Sequence, residues 1–310
     1  MSTAVLGQIA RDLVLLTDTV PGPGGTVDVH RRLELLGGKG ANIAVTLAQL
    51  GARPILVGVV GDDVTGSRLV ERCVEDGIDV RGVRRRRGTE SALMVDIVTD
   101  DGQHRYLEHV PPATLLTGDD LDPVGGLVEE CDSAVLQLQQ PAPVVRCALG
   151  MLRARGALVV LDGVLQDENH REPVVAGADV VRMDAREAEL WAGRRIRDPE
   201  DAARVAAEVL RLGPGLVVLA VGDQGDVVVT PQERLLLPQV DTPVVDTTGA
   251  GDAFVGTLTW ALTSGRGPVE AALRGCAAAA LTVGRPGGRP ALSPGAVEEL
   301  AATITPLPLG

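Results

Sequence analysis

Continuous apolar runs, separated by amphipathic stretches, set the rhythm of this chain. Residues 3–10, TAVLGQIA, read as a buried strand, with LVLLTD (13–18) as its neighbour. PGPGGTV is then a turn, and VDVHRRLELL alternates weakly, as an exposed strand does. From Ala41 the period changes. ANIAVTLAQLGA puts Ile43, Leu47 and Leu50 on one helical face and stops at Gly51. PILVGVVGDD is apolar throughout, the mark of a strand buried in a parallel sheet. VTGSRLVERCVEDG is a helix with Asp63 or Thr65 as its cap. Residues 89–110 read as two strands joined by TDDG, a hairpin signal. They are more polar than their neighbours, which groups them with residues 18–36 in a small separate sheet.

Beyond Ser133 the alternation is regular. SAVLQLQ, ALVVLDG, ADVVRMD and GLVVLAVGDQGDVVV supply strands; 143–156, 185–193 and 199–213 supply helices. Two long helices, 249–265 and 268–284, and a short one, 294–302, close the chain. Strands alternating with helices imply an α/β fold whose parallel sheet is covered on both faces. No fixed-period repeat or low-complexity linker divides it, so residues 1–310 read as one domain.

With 45% apolar residues in 310, a large core is available. No run is long enough to span a bilayer, and MSTAVLGQIARD lacks the layout of a signal peptide. Cys73, Cys131, Cys147 and Cys276 show no C-x-x-C spacing and read as reduced core thiols of a cytoplasmic protein. A formal charge of −13 argues against a nucleic-acid partner. The run Arg84–Arg87 reads as a solvated face, with a phosphate contact as the lesser option. His30, His104, His109 and His170 form no ligand spacing. Neither a Walker loop nor a dinucleotide fingerprint fits: Lys39 is followed by Gly40, and PGPGG leads into strand-like sequence.

The chemistry concentrates in VVDTTGAGDAFVGTLTWAL. An apolar strand leads to Gly249-Ala250-Gly251 and straight into a helix. Small residues leave the first-turn N–H groups uncovered, which with the helix dipole makes an anion site. Asp252 in that turn either favours the dipole or takes a proton from a hydroxyl beside the bound anion. Both readings stand on spacing alone.

GGKGANIAV (37–45) and DTTGAGDAF (246–254) resemble the two signature regions of the ribokinase-like (PfkB) carbohydrate kinases, and VGVVGDDVTG, DAREAEL, AVGDQG and AAAALTVGRPGG fall in that family's order. The resemblance covers essentially the whole chain and is closest to ribokinase. It implies a doubly wound α/β fold, a β-sheet lid from about 13–36 and 88–110, and transfer of phosphate from ATP, with Mg²⁺, to a sugar hydroxyl. Asp252 matches the catalytic base, and Gly249, Ala250 and Gly251 the anion hole. Asp12, Gly37, Gly38, Lys39, Gly40, Asn42 and Gln139 match sugar-side positions. Asp184 and Glu187 match the block linked to Mg²⁺ and phosphate. Ala220, Gly222, Gly225 and Cys276 match the nucleotide side, with Asp184 and Gly251. Asp246, Thr248, Thr282, Arg285, Gly287 and Ala291 match the surroundings of a monovalent cation, K⁺, and a homodimer through the lid is implied.

The chain departs from ribokinases at Ala10 (usually Asn), Gln139 (usually Glu) and Asp184 (usually Asn), and has Ala220 where Thr is common. These exchanges alter the hydroxyl pattern the site can accept. A nucleoside kinase or a non-catalytic sugar-binding protein are the alternatives. A 1% aromatic content, few faces for a base to stack on, weighs against the first, and an intact GAGD against the second.

Overall fold

A computed structural model describes residues 1–284, 287–289 and 291–310. Its strands are β1 (Ser2–Leu6), β2 (Ala10–Thr17), β3 (Val29–Gly37), β4 (Arg53–Gly61), β5 (Asp79–Arg86), β6 (Ala92–Thr99), β7 (His104–His109), β8 (Ser133–Gln137), β9 (Leu158–Asp162), β10 (Val180–Met183), β11 (Leu216–Ala220), β12 (Gly225–Val229), β13 (Arg234–Pro238) and β14 (Leu307–Pro308). The main sheet runs β14-β13-β12-β11-β10-β9-β8-β1-β4-β5. It is parallel from β5 to β11 and antiparallel from β11 to β14.

Alternation along the inner strands sorts the core into two layers. On β8 and β9, Ala134, Leu136, Val159 and Leu161 face one apolar cluster, where helices Ala142–Arg153 and Pro199–Leu210 pack. Val135 and Val160 face the other, with helices Lys39–Gln49, Ala250–Thr263 and Pro268–Val283. Both faces are covered, so these strands read as unbroken apolar runs. Arg84–Arg86 lie on the edge strand β5, where charge blunts an open edge; Arg86 pairs with Asp120 at 2.7 Å. Among the described residues no helix is long and apolar enough to cross a membrane.

A second sheet, β3-β2-β6-β7, joins the early strands to the 89–110 hairpin. Here the structure corrects the expectation that LVLLTD lies beside TAVLGQIA. β2 pairs with β3 and β6, because β1 already has β4 and β8 on its two sides. The burial of β2 alternates, as in a sheet covered on one face. A second correction concerns the apolar run before GAGD. Val244 and Val245 are exposed and form no strand; the N–H groups of Val245 and Asp246 both donate to the Val283 carbonyl. Strand β13 and the short helices between Pro112 and Glu129 are additions to the elements expected from the sequence.

Candidate active site

The two glycine-rich turns meet at the carboxyl ends of the parallel strands, where ligands of open α/β sheets sit. Each turn is closed to larger residues. Gly38 has a φ of 86°, and a Cβ there would lie 2.7 Å from the Gln8 carbonyl oxygen. A Cβ on Gly40 would lie 2.6 Å from the Gly7 carbonyl carbon, and one on Gly37 would fall on the Asp12 carboxyl group. Gly249, with a φ of 72°, precedes helix Ala250–Thr263, and a Cβ on it would overlap the Gly288 carbonyl. Asp246 fixes this second turn: its carboxylate accepts the N–H of Thr248 at 2.8 Å and of Gly287 at 2.7 Å.

A cavity of about 710 Å³ opens between the turns and the small sheet. The structure brings Asp12, Gly38, Lys39, Asn42, Gln139, Asp184, Gly287 and the segment Thr248–Asp252 to its wall. A second cavity of about 200 Å³ takes Ala220, Gly222, Gly225 and Cys276. Ala250 and Gly251 line both, so the helix start is their common wall. Asp184 lies on the acceptor-side cavity and not on the second one. Gly37 and Gly40 support the first turn from behind. The Thr282 hydroxyl donates to the Ala278 carbonyl at 2.8 Å, Ala291 is exposed, and Arg285 lies outside the described residues. Ala10 is buried at the head of β2 and, unlike Gln139, does not reach the cavity.

Asp252 is buried at the first turn of its helix, and Asn42 Nδ2 donates to its Oδ2 at 2.8 Å. Burial and the charge of Asp162 raise its pKa to about 6, against the pull of Lys39, the Asn42 amide and Arg182. That places a base near neutral pH. Lys39 Nζ sits 2.9 Å from Glu187 Oε1. Burial works against its ammonium, yet the carboxylates of Asp162, Glu187 and Asp252 outweigh burial and keep it charged. Glu187 Oε2 accepts the Asp184 N–H, and Asp184 Oδ1 accepts the Glu187 N–H, a reciprocal cap on helix Ala185–Ala192. Both Glu187 oxygens are thus engaged, while Asp184 faces the cavity.

Asn42 spends its side-chain donor on Asp252, not on its own helix, whose start has no side-chain cap. A donor to the carboxylate lowers its pKa, so Asn42→Ala raises it. The acid limb of kcat/KM then moves above about 6, and the deficit, roughly one to two decades, is larger at pH 6 than at pH 8. A variant that only melts earlier, with an unshifted pH profile, would separate Asn42 from the base.

Several groups at the site carried no readable signal. Asp162 ends β9 with Oδ2 buried and, among the described residues, unpartnered. Arg182 is buried on β10, and Asp226 is half-buried on β12. An acid or base inside a buried strand was the clue available, since such residues are rarely interior without a partner. From the small sheet, Tyr106 Oη lies 3.4 Å from Thr248 Oγ1. The histidines, which show no ligand spacing in sequence, fare differently in space: ligand atoms of Asp96, His104 and Asp246 lie within 4.8 Å of one another.

A protein-family model described as pfkB family carbohydrate kinase matches residues 2–294. The chain is 30% identical over 305 residues to the ribokinase of Bacillus subtilis, covering 96% of this chain and 98% of that one. It is 32% identical over 301 residues to the ATP-dependent ribose-1-phosphate kinase of Halopiger xanaduensis, covering 94% and 95%. The structure of Arabidopsis thaliana ribokinase complexed with ribose and ATP superposes with a TM-score of 0.80 at 24% identity, covering 96% of this chain and 98% of that one.

Proposed function

The chain belongs to the pfkB family of carbohydrate kinases and is an ATP-dependent sugar kinase, and we propose that its acceptor is a neutral sugar held between the first glycine-rich turn and the small sheet. The observation that carries this is the distribution of charge in the larger cavity. Asp12, Asp96 and Glu108 stand at its sugar end, while the cations that line it among the described residues are Lys39 and Arg182, near Glu187 and Gly251 respectively. Carboxylates accept hydroxyl protons and repel a second phosphate. Tyr106 is the aromatic on that wall among the described residues, which offers little to a nucleobase.

In the reaction, Asp252 takes the proton of the acceptor hydroxyl. That oxygen bonds to the γ-phosphorus, the bond from phosphorus to the β-phosphate oxygen breaks, and ADP leaves. The N–H groups at Gly249–Gly251 hold the charge that develops on the transferring group. Mg²⁺ bound with the phosphates would neutralise part of that charge; Asp184, in the cavity wall, is the carboxylate that would hold it, directly or through water. The small sheet acts as the lid, and Tyr106 against Thr248 is its contact with the anion-binding turn.

The test is ATP turnover with a panel of pentoses, hexoses, nucleosides and ribose 1-phosphate. A neutral pentose or hexose is turned over and ribose 1-phosphate is not. Turnover of ribose 1-phosphate with the neutral sugars inert would reverse the assignment of the acceptor end.

K⁺ is the monovalent activator in this reading. Asp246 already ties the Thr248 and Gly287 turns together, and an oxygen-liganded cation beside it would stiffen the anion hole without touching substrate. Rates in K⁺ exceed rates in tetramethylammonium at equal ionic strength; equal rates would remove the ion from the scheme. Pairing through the lid would make the protein a homodimer, with Val29 and Leu107 exposed on β3 and β7. Four free thiols suit a cytoplasmic protein.

A further inference from the structure

Arg182 occupies an unusual place. It is on β10, between β9 and β11 of the main sheet, and is buried, yet it lines both cavities. Its one side-chain hydrogen bond among the described residues is long, Nη1 to Asp162 Oδ1 at 3.5 Å, and its buried Nε has no partner. Phe254 covers one side, with its ring centre 5.9 Å from Cζ. The guanidinium lies against the anion-binding turn: a Cβ on Gly251 would stand 2.8 and 2.9 Å from its two terminal nitrogens.

A guanidinium carries five N–H donors, and burial without partners is costly. A purely structural arginine would be expected to close short, forked contacts on a carboxylate. Asp162 instead makes a single contact at the limit of hydrogen bonding, and Asp226 contributes its charge from β12 without a hydrogen bond to Arg182. The carboxylates of Asp162 and Asp226 favour its charge, whereas the helix end beside it opposes it. Arg182 sits at the N-terminal end of helix Ala250–Thr263, where the dipole is positive. A cation and a positive helix end converge on one point favourably when an anion stands between them.

We propose that Arg182 is a phosphate-binding residue of this kinase, gripping the terminal phosphates of ATP where the nucleotide cavity opens into the acceptor cavity, with Asp162 and Asp226 holding its charge in place. The inference rests on the kinase reading above but not on which sugar is used. The guanidinium faces the γ-phosphoryl group as its bond to the β-phosphate oxygen lengthens, opposite the side on which Asp252 receives the hydroxyl proton. Both the ground-state phosphates and the ADP that leaves are then within its reach. Gly251 is small for a second reason on this account: a side chain there would occupy the space between guanidinium and helix end that the phosphate enters.

The test measures binding of Mg·ATP and of AMP, without any sugar, to wild type, Arg182→Met and Arg182→Lys, together with kcat, KM for ATP and thermal stability. Arg182→Met weakens ATP about ten- to hundredfold and leaves AMP within about twofold, the loss expected for removing charged hydrogen bonds to phosphate. Arg182→Lys keeps the positive charge opposite Asp162 and Asp226 but loses the planar fork, so it folds and lies between the two. If Arg182→Met does not fold, the same split of ATP from AMP is read on Arg182→Lys, with a loss of about three- to tenfold. A structural role alone predicts a lower melting temperature with ATP and AMP affinities moving together or not at all, and that result overturns the proposal. Wild-type protein that binds ATP but turns over no sugar would sink the acceptor reading and leave the binding split to be judged on its own.

Discussion

Asp252→Asn lowers kcat by roughly 10²–10⁴-fold, the range for removal of a positioned general base, while ATP affinity changes little. The substitution keeps shape and removes the ability to accept a proton. Asn42 Nδ2 still has an oxygen to reach, so the geometry of the turn survives. Stability moves the other way. The folded-state pKa of Asp252 is raised to about 6, chiefly by burial, so its charged form costs the fold free energy above that pH and costs nothing once both states are protonated. The variant therefore melts higher than wild type at pH 8, and the gap closes as the pH falls toward 4. Wild-type kcat/KM correspondingly rises with pH through about 6 as the base loses its proton. Near-wild-type turnover in the variant would leave Asp252 as no more than a charge favourable to its helix dipole.

Asp12→Asn has the second largest effect, and it too divides function from stability. Asp12 reaches into the sugar end of the cavity past Gly37, and its Oδ1 is buried with no partner among the described residues. Burial, and after it the charges of Asp252, Asp96 and Asp246, raise its pKa to about 7. An orphaned carboxylate in that setting is a waiting acceptor for sugar hydroxyls. Replacing it by an amide substitutes a donor for one of two acceptor oxygens, and sugar KM rises roughly ten- to hundredfold with ATP binding intact. In the absence of sugar the variant is the more stable protein above pH 7, by on the order of 2–4 kcal/mol, because the wild-type charge is destabilising there. This advantage shrinks as the pH falls through 7 and is gone near 4, where folded and unfolded carboxyls are both neutral. Melting curves at pH 5 and 8 with sugar kinetics on the same preparations decide it; a variant destabilised at pH 8 with unaltered sugar KM would contradict both halves.

The strands and helices of the parallel half were legible because each inner strand is covered on both faces and so reads as an uninterrupted apolar run: PILVGVV, SAVLQ, ALVVLD and ADVVRM are found where they were expected. LVLLTD lies in the small sheet and not beside β1, and the same logic explains why its sequence misleads. Its apolar residues look like a buried strand, and nothing local records that both sides of β1 are taken by β4 and β8. The glycine turns and Asp252 were legible because backbone conformation and helix-start chemistry are local. Arg182, Asp162 and the Asp96–His104–Asp246 group were not, since their meaning lies in distances between strands far apart in sequence. Spacing along the chain cannot show that a histidine of β7 comes to rest beside an aspartate of the turn before Gly249.

The hydrogen bond from Asn42 to Asp252 joins positions 210 residues apart. β1, an inner strand of the sheet, is paired with β4 and β8, and its covering helix Lys39–Gln49 packs on Ala250–Thr263. A chain growing on the ribosome can therefore lay down most of its sheet before it owns a reaction centre, because the base and the anion hole follow β13 in sequence. Until they dock, Lys39, Asn42 and Asp12 are scattered polar groups with nothing to activate. Because the base and the anion hole share one helix start, a nascent kinase assembled in this order gains both in a single docking step.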